Sequence, residues 1–413
     1  MGDPQFHRAD SLHGRDGPKS PRGAVRRRVS SRLARANLGD IAAREAVEPR
    51  VFELDGLRGL ACLAIIAYHV RPAGVPYGWA SVDLFFVLSG YLITAILIRH
   101  RGSPGLLRNF YARRGLRIWP IYYLTIVTLV ILGPWLPRPT SWNGLGYYLT
   151  YTQNIPLYWS GRVPPFSPYL NHFWSLAIEE QFYIVWPILV ILSGRRTLIP
   201  LTLAVAAMAV AARARGIDSW LLLARADGFA LGGLLAAVFA DSQRVARQLV
   251  IYRRAIASIT LIALAVVAVA MARGIIPVFG RPPTGAGFSV LAINVLFAGI
   301  IGLVVTHAGR PAVKWLRRPR LVHLGTLSYG LYVYHYIVLM VADDMLVALR
   351  GYGRTSLNNV ALIALTYGLA LASWLWFEKP LLNLKRRFDY RPSATHQADS
   401  EPSVTRQPAS AIQ

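Results

Sequence analysis

The segment LDGLRGLACLAIIAYHV (residues 54–70) is apolar enough for a membrane helix, yet it contains Asp55, Arg58 and His69. An ionisable side chain at the centre of a bilayer costs about 2.5–3.5 kcal/mol on insertion scales, so such residues usually face a cavity or a partner. Arg58 and His69 are eleven residues apart, which is roughly 16 Å along a helix and about 20° past three full turns. We therefore expect both side chains to line one polar shaft through the bilayer.

The composition indicates a polytopic helical membrane protein. Of the 413 residues, 54% are hydrophobic, and they lie in long runs rather than in alternating patterns. The net charge of +25 is concentrated in short segments between these runs, where it sets membrane orientation, so no nucleic-acid partner is predicted. Cys62 is the single cysteine, which excludes an intramolecular disulfide and a cysteine-based metal site.

About ten segments are long and apolar enough to cross a hydrocarbon core, which takes roughly 20 residues. They lie near residues 56–74, 82–98, 116–136, 174–192, 198–212, 220–240, 255–272, 288–306, 321–346 and 357–377. Ten spans place 22 Lys/Arg in the loops on the side of the N-terminus and 9 in the opposite loops. This asymmetry predicts an all-α bundle with both termini in the cytoplasm. Residues 141–159 are too polar for a convincing further span and fit an interfacial or re-entrant segment.

Three domains are predicted from these patterns. Residues 1–50 contain eleven Lys/Arg, six Asp/Glu and no sustained apolar period, which predicts a disordered basic tail. Residues 51–391 form the integral membrane domain. Residues 392–413 are polar and rich in Ser, Pro and Gln, and they are expected to form a second disordered tail.

Further ionisable or polar residues fall inside the predicted spans. They are Asp83, Ser175, Glu179, Glu180, Asp227 and His335. Ser175 and Glu179 are four residues apart and share a helix face. One interpretation is a polar chamber inside the bundle. The alternatives are a hydrogen-bonded structural histidine, carboxylates that reach the headgroups, an arginine partner for Glu180, and serines bonded to their own helices.

The segment RNFYARRGLRIWPIYYL (residues 108–124) places Arg113, Arg114 and Arg117 beside aromatic residues at the predicted cytoplasmic surface. The inside-positive rule explains such arginines without any function. Arg114 and Arg117 are also three apart on one helix face, which suits a clamp for phosphate groups. Spacing alone leaves both interpretations open.

Taken together, these segments resemble the membrane-bound acyltransferase-3 family over residues 52–380. The matching motifs are LDGLRGLACLAIIAYHV, in which Arg58 and His69 match an Arg, ten residues, His pattern, followed by VDLFFVLSGYLIT, YARRGLRIWPIYY, FWSLAIEEQFYIVWP, ADGFALGGLLA and LSYGLYVYHYIV. Each motif alone is weak, whereas six in order are specific. Because the chain ends soon after the bundle, it resembles the form of the family that lacks an added C-terminal domain.

The resemblance implies transfer of an acyl group, usually acetyl, from cytoplasmic acyl-CoA to a hydroxyl of a surface or secreted glycan or a lipid-linked saccharide in the bacterial inner membrane. The family modifies lipopolysaccharide, capsule, exopolysaccharide, peptidoglycan, Nod factors and some macrolides. The implied catalytic residues are His69, Arg58 and Glu179. His69 is the general base or carries the acyl group, and we prefer the base because an imidazole suits proton abstraction at neutral pH.

The resemblance also implies roles for the remaining polar positions. Arg58, Arg114, Arg117 and Arg113 are expected to hold the phosphates of the acyl-CoA donor, which is a substrate and not a permanently bound cofactor. The residues implied in acceptor binding are Asp83, Ser175, Trp174, Asp227 and His335.

Two further function classes remain open at the level of sequence. A proton-coupled transporter would also need buried Asp, Glu and His, although no inverted repeat is visible. A scaffold would leave the buried charges unexplained. Within the enzyme class, a small molecule such as a macrolide is an alternative acceptor. No metal is predicted, since ligand spacing on one element is absent, and no ATP site is predicted without a phosphate-binding glycine loop.

Overall fold

The computed structural model describes residues 51–160, 162, 164–276, 287–350 and 355–390. This part of the chain is helical with connecting turns and contains no strand. The ten long helices are α1 Phe52–Val70, α2 Ser81–Arg99, α3 Leu106–Leu132, α4 Trp174–Leu192, α5 Arg195–Ala214, α6 Leu222–Phe239, α7 Leu249–Ala272, α8 Gly287–Thr306, α9 Pro319–Arg350 and α10 Ser356–Ser373. The predicted tails, 1–50 and 392–413, lie outside the described residues.

The prediction of an all-α polytopic membrane bundle is confirmed. Among the described residues, nine helices are long and apolar enough to cross a membrane. The long helix outside this set is α1, which carries Glu53, Asp55 and Arg58 near its start. It packs along α9 inside the bundle, so its charges have protein neighbours rather than lipid. The side on which the termini lie stays a prediction.

The predicted start of the third span is wrong by ten residues. We expected a loop up to residue 116, but α3 begins at Leu106 and runs through Pro120 to Leu132. Its first turns are amphipathic, with Leu106 and Phe110 buried and polar residues between them, so average hydropathy does not reveal them. Arg113, Arg114 and Arg117 therefore lie on a helix, which fixes the direction of each side chain.

Residues 141–159 do not form a membrane-crossing helix. They contain two short helices, Leu145–Leu149 and the first part of Asn154–Ser160, and neither is long enough to span a bilayer. Tyr148 and Tyr151 are buried against Tyr122 and Phe166 of the same core cluster, while Trp142 and Trp159 are largely exposed. This segment packs against the bundle, in line with the interfacial interpretation.

Two helix pairs approach so closely that only glycine fits at the crossing. A Cβ on Gly90 of α2 would lie 2.0 Å from the carbonyl oxygen of Phe229, and one on Gly232 of α6 would lie 2.0 Å from that of Val87. Likewise, a Cβ on Gly325 of α9 would lie 1.9 Å from the carbonyl oxygen of Asp55. Small residues at such contacts let membrane helices pack backbone to backbone. These crossings fix α1 against α9 and α2 against α6, and three of these helices, α1, α2 and α9, carry residues of the site described below.

The charge asymmetry of the loops makes a topology prediction that reporter fusions can check. A reporter fused after Thr140 is expected on the outer side, and one fused after Ala308 in the cytoplasm, because basic loops stay inside. Accessibility of each reporter in intact cells is the measurement. Finding both reporters on the same side would overturn the ten-span topology.

Candidate active site

A cavity with about 650 Å³ of empty space lies between five helices. Four of these helices contribute several side chains at helical spacing, so one face of each of the four looks into the cavity. Helix α4 contributes Ser175, Leu176, Glu179 and Tyr183. The others contribute Arg58 from α1, Val82, Phe85, Phe86 and Ser89 from α2, Arg114, Arg117 and Ile118 from α3, and Ser328, Tyr329 and Tyr332 from α9. The cavity is therefore apolar in part, with three arginines and one carboxylate in its wall.

The carboxylate of Glu179 is held in place by two hydroxyl groups. Its Oε1 accepts hydrogen bonds from Ser89 Oγ at 2.6 Å and from Tyr183 OH at 2.7 Å. These two hydrogen bonds fix the orientation of the Glu179 carboxyl group in the cavity wall. Arg114 stacks over the Tyr183 ring, with its Cζ 4.7 Å from the ring centroid.

The three arginines give the cavity an excess of positive charge. Arg58, Arg114 and Arg117 come from two helices and line the same space, where Glu179 is the only carboxylate among the described residues. Asp55 lies one turn before Arg58, with 3.9 Å between Asp55 Oδ1 and an Arg58 guanidinium nitrogen. Guanidinium groups are planar forks that match phosphate and carboxylate oxygens. The cavity is thus suited to a ligand with an anionic group.

A cluster of three histidines lies beside the cavity. Its members are His69 at the end of α1, His172 in the turn before α4 and His335 of α9. The ring centroids of His69 and His335 are 5.0 Å apart, and those of His172 and His335 are 5.2 Å apart. His335 and His172 are buried, and His69 is half-buried. Tyr336 packs against both His69 and His172. The imidazole of His69 therefore points into the bundle.

The backbone around the histidine cluster fixes the protonation of its rings. His335 Nδ1 lies 2.6 Å from the carbonyl oxygen of Tyr332, and His69 Nδ1 lies 3.0 Å from that of Ile65. A carbonyl oxygen can only accept a hydrogen bond, so both Nδ1 atoms carry hydrogen. His335 Nε2, 3.3 Å from His69 Nδ1, then accepts from that same hydrogen. In the neutral His69 ring, the basic lone pair is on Nε2.

Ser175 and Tyr332 connect the cavity to the histidine cluster. Both residues line the cavity, and their hydroxyl groups are hydrogen-bonded to each other. Tyr332 OH donates to the carbonyl oxygen of His172 at 2.9 Å, and the carbonyl of Tyr332 accepts from His335. This hydrogen-bonded pair thus links the cavity wall to the histidine cluster. Arg58 lines the cavity, whereas His69 lies in the adjacent cluster and is not among the cavity-lining residues.

Two predicted acceptor-binding residues lie elsewhere, in buried ion pairs. Asp83 is paired with Arg225 of α6, and Asp227 is paired with Arg213 of α5 through two hydrogen bonds of 2.7 and 2.9 Å. All four side chains are at most 4% exposed. Val82 and Phe86 line the cavity, but Asp83 is turned about 100° from Val82 on the same helix. The structure therefore places Asp83 and Asp227 in ion pairs that join helices, outside the lining of this cavity, and their role in acceptor binding stays a prediction.

Trp174 and Arg113 also lie outside the cavity wall. Trp174 packs edge-on against Trp220, with 4.6 Å between ring centroids, and its ring lies near the Arg225 guanidinium. Arg113 is paired with Asp389 at 2.6 Å, and its side chain is 30% exposed. His335 contacts His69 rather than the cavity. Of the predicted site residues, the cavity brings together Arg58, Arg114, Arg117, Ser175 and Glu179, while His69 and His335 meet in the adjacent cluster.

Several site residues have no assigned role in the sequence analysis. They are Ser89, Tyr183, Tyr332 and His172. Tyr183 follows Glu179 by four residues, and this spacing could have placed it on the same face. His172 lies just before the predicted start of its span, and Ser89 lies in an apolar run with no charged neighbour. Their proximity depends on how separate helices pack.

The arrangement can support transfer chemistry between an anionic donor and a proton-bearing acceptor. Three guanidinium groups can bind the anionic part of a donor, and an imidazole with a basic Nε2 can remove a proton. Within the described residues, no three His, Cys, Asp or Glu side chains are grouped so that they could hold a metal ion.

The chain is similar to known acyltransferases. A family described as "Acyltransferase domain" matches residues 51–379. The chain is 40% identical over 146 residues to the peptidoglycan O-acetyltransferase OatA of Listeria monocytogenes, covering 32% of this chain and 23% of that protein. It is 29% identical over 321 residues to the O-acetyltransferase OatA of Staphylococcus aureus, covering 70% and 51%. The matches thus span about a quarter to a half of these relatives' length. No solved structure matches significantly.

Proposed function

Because the chain belongs to the acyltransferase-3 family, we propose that it transfers an acetyl group from acetyl-CoA to a hydroxyl of a cell-surface glycan. The observation that carries the proposal is an arginine-lined cavity linked to an imidazole cluster through the hydrogen-bonded pair Ser175 and Tyr332. The relatives' names refer to O-acetylation and, in one case, to peptidoglycan. We take a glycan of the cell envelope as the acceptor class and the bacterial cytoplasmic membrane as the location.

The arginine-lined cavity supports the choice of donor. Acetyl-CoA carries phosphates at one end and a thioester at the end of a long flexible arm. Arg114 and Arg117 lie one helical turn apart, so two guanidinium groups can bind phosphate oxygens together. The arm would then extend past Ser175 and Tyr332 towards His69. Along α1, the rise from Arg58 to His69 is roughly 16 Å, a distance that a small donor without an arm could not cover.

The reaction uses His69 as the general base. Nε2 of His69 takes the proton of the acceptor hydroxyl while the oxygen of that hydroxyl attacks the thioester carbonyl carbon. The C–O bond forms, the C–S bond breaks, and the proton on Nε2 passes to the leaving sulfur, so that an ester and free CoA result. The imidazolium formed in between keeps its Nδ1 hydrogen bonded to Ile65 and His335. Positioned acid–base groups of this kind contribute about 10²–10⁴ in rate.

Purified protein in liposomes tests the proposal directly. With labelled acetyl-CoA and peptidoglycan or capsule fragments, we expect acceptor-dependent release of CoA and label in the saccharide. The matched control replaces the fragments with the same saccharides already fully O-acetylated, which offer no free hydroxyl at the modified position. Labelling of a small macrolide but of no saccharide would assign a different acceptor class.

A transporter is distinguished in the same liposomes. Acyl transfer is driven by cleavage of the thioester and needs no ion gradient, so a protonophore should leave the rate of CoA release unchanged. Transport of the saccharide without ester formation, abolished by the protonophore, would contradict the proposed function and favour proton coupling.

A further inference from the structure

The cavity between the helices has a charged end and an apolar end. At the charged end, Arg114 stacks over the ring of Tyr183, whose hydroxyl donates a hydrogen bond to Glu179. At the other end, Ser175 and Tyr332 are hydrogen-bonded to each other beside the histidine cluster. Ser175 lies eight residues before Tyr183 on α4, so the two ends are roughly 12 Å apart along this helix.

Helix α2 runs in the same direction as α4 along the cavity. Ser89 of α2 donates a hydrogen bond to Glu179 of α4. Further along both helices, Thr94 of α2 accepts a hydrogen bond from Trp186 of α4 at 2.8 Å. Val82 comes seven residues before Ser89, which is roughly 10 Å back along the helix. Val82 therefore lies at the level of the start of α4, away from the charged end.

Three apolar side chains line the cavity at the end beside the histidine cluster. They are Val82, Phe85 and Leu176. Phe85 lies one turn along α2 from Val82, and Leu176 lies in the first turn of α4. Phe85 also packs against an apolar cluster that contains Ile66 of α1, and Ile66 is one turn before His69 on that helix.

These three side chains restrict the chemistry of the group that can bind beside them. None of them can donate or accept a hydrogen bond. The hydroxyl groups of a sugar, or a carboxylate, would lose their water there without gaining a partner, which is unfavourable. A hydrocarbon group would instead gain from leaving water. This end of the cavity is therefore suited to an alkyl group.

We propose that Val82, Phe85 and Leu176 form the binding site for the acyl group of the donor, and that they select a short, uncharged acyl chain. The inference rests on the proposed function and specifies the donor of that same site. With the phosphates at the arginines, the arm of the donor brings the thioester to the end of the cavity beside the histidine cluster. The acyl group then lies against the three apolar side chains, and the ring of Phe85 occupies space that a longer chain would need.

The test compares donors that differ only in the acyl chain, with one saccharide acceptor. Wild type should use acetyl-CoA with a kcat/KM at least about tenfold above that for butyryl-CoA, as expected for extra methylene groups in a filled apolar pocket. Phe85→Ala should raise the butyryl-to-acetyl ratio of kcat/KM about tenfold, since it makes room for the longer chain. Val82→Ala, a smaller change, should raise the ratio less. Succinyl-CoA should be a poor donor, because its carboxylate would have no partner at the apolar end.

The matched control removes a phenyl ring of the same size from another part of the bundle. Phe166 is buried against Tyr148, with 5.4 Å between ring centroids, and it is not among the residues that line the cavity. Phe166→Ala should leave the butyryl-to-acetyl ratio unchanged. The ratio does not depend on the amount of folded protein, so a loss of stability in any of these variants does not imitate the expected effect.

Three results would overturn the inference. One is a wild type that uses butyryl-CoA or succinyl-CoA as well as acetyl-CoA. Another is an unchanged ratio in the folded variants of Phe85 and Val82, and the third is an equal rise of the ratio in Phe166→Ala.

Failure of the proposed function is a separate outcome, in which wild type releases no CoA from any of the donors. In that case, titration of wild type and Phe85→Ala with acetyl-CoA and butyryl-CoA decides. Binding of butyryl-CoA that is strengthened relative to acetyl-CoA in Phe85→Ala supports the inference. An unchanged relative affinity, or no binding of either donor, overturns it.

Discussion

Replacing His69 with alanine is expected to lower kcat for acetyl transfer by about 10²–10⁴, the usual contribution of a positioned acid–base group. The reason is that Nε2 of His69 carries the basic lone pair, given that its Nδ1 donates to Ile65 and His335. KM for acetyl-CoA should change little, because the phosphates bind at the arginines. The measurement is steady-state release of CoA by purified protein, with wild type and variant at matched concentrations.

The control for this prediction removes an imidazole elsewhere on the same bundle. His323 lies on α9 and is exposed, with its Nε2 3.1 Å from Tyr367 OH. The substitution His323→Ala should leave kcat unchanged. A His69→Ala protein that folds and releases CoA at the wild-type rate would contradict the role of base.

Breaking the buried ion pair between Asp83 and Arg225 is expected to be the largest effect on stability. The substitutions Asp83→Ala and Arg225→Ala should each lower the free energy of unfolding by about 3–5 kcal/mol, because each leaves one buried charge without its partner. The side chains of this pair are 1% and 4% exposed. Thermal unfolding in detergent, followed by tryptophan fluorescence, measures the effect.

The double variant Asp83→Leu with Arg225→Met separates a structural role from substrate binding. Replacing both charges with apolar groups of similar volume is often nearly neutral, so stability should largely return and the acceptor KM should stay normal. The exposed pair Arg138–Asp344 is the control, and Asp344→Ala should cost less than about 1 kcal/mol. If single variants of Asp83 are fully stable but bind the acceptor poorly, Asp83 has a role in acceptor binding and not only in stability.

Much of the cavity was predictable because its polar residues lie on otherwise apolar helices. Arg58, Ser175 and Glu179 are conspicuous in the sequence because a charged or polar group in a span needs a cavity or a partner. Helical spacing then placed Ser175 and Glu179 on one face, and the structure has both in the cavity wall. The same reasoning singled out Arg114 and Arg117, although spacing left the phosphate clamp and the inside-positive rule equally open.

The positions of the other polar residues depended on tertiary packing, which the sequence pattern does not show. Asp83 and Asp227, like Glu179, are acidic residues within predicted spans. Their partners, Arg225 and Arg213, lie on different helices from the aspartates they bind. Arg213 in particular counted as a loop residue in the predicted topology, whereas α5 extends to Ala214 and buries it. His172 lies in the turn just before α4, outside the predicted span, and the amphipathic start of α3 was taken as a loop. Local hydropathy cannot distinguish a buried ion pair from a binding residue.

Transfer across sealed vesicles tests most directly whether the arginine cavity and the histidine cluster act together. Inverted membrane vesicles receive labelled acetyl-CoA outside and enclose the acceptor glycan within. We expect wild type to place label on the enclosed glycan, and His69→Ala to leave it unlabelled while still binding CoA. Full labelling by His69→Ala, or labelling only when acetyl-CoA is enclosed with the glycan, would contradict a site that joins the two sides of the membrane.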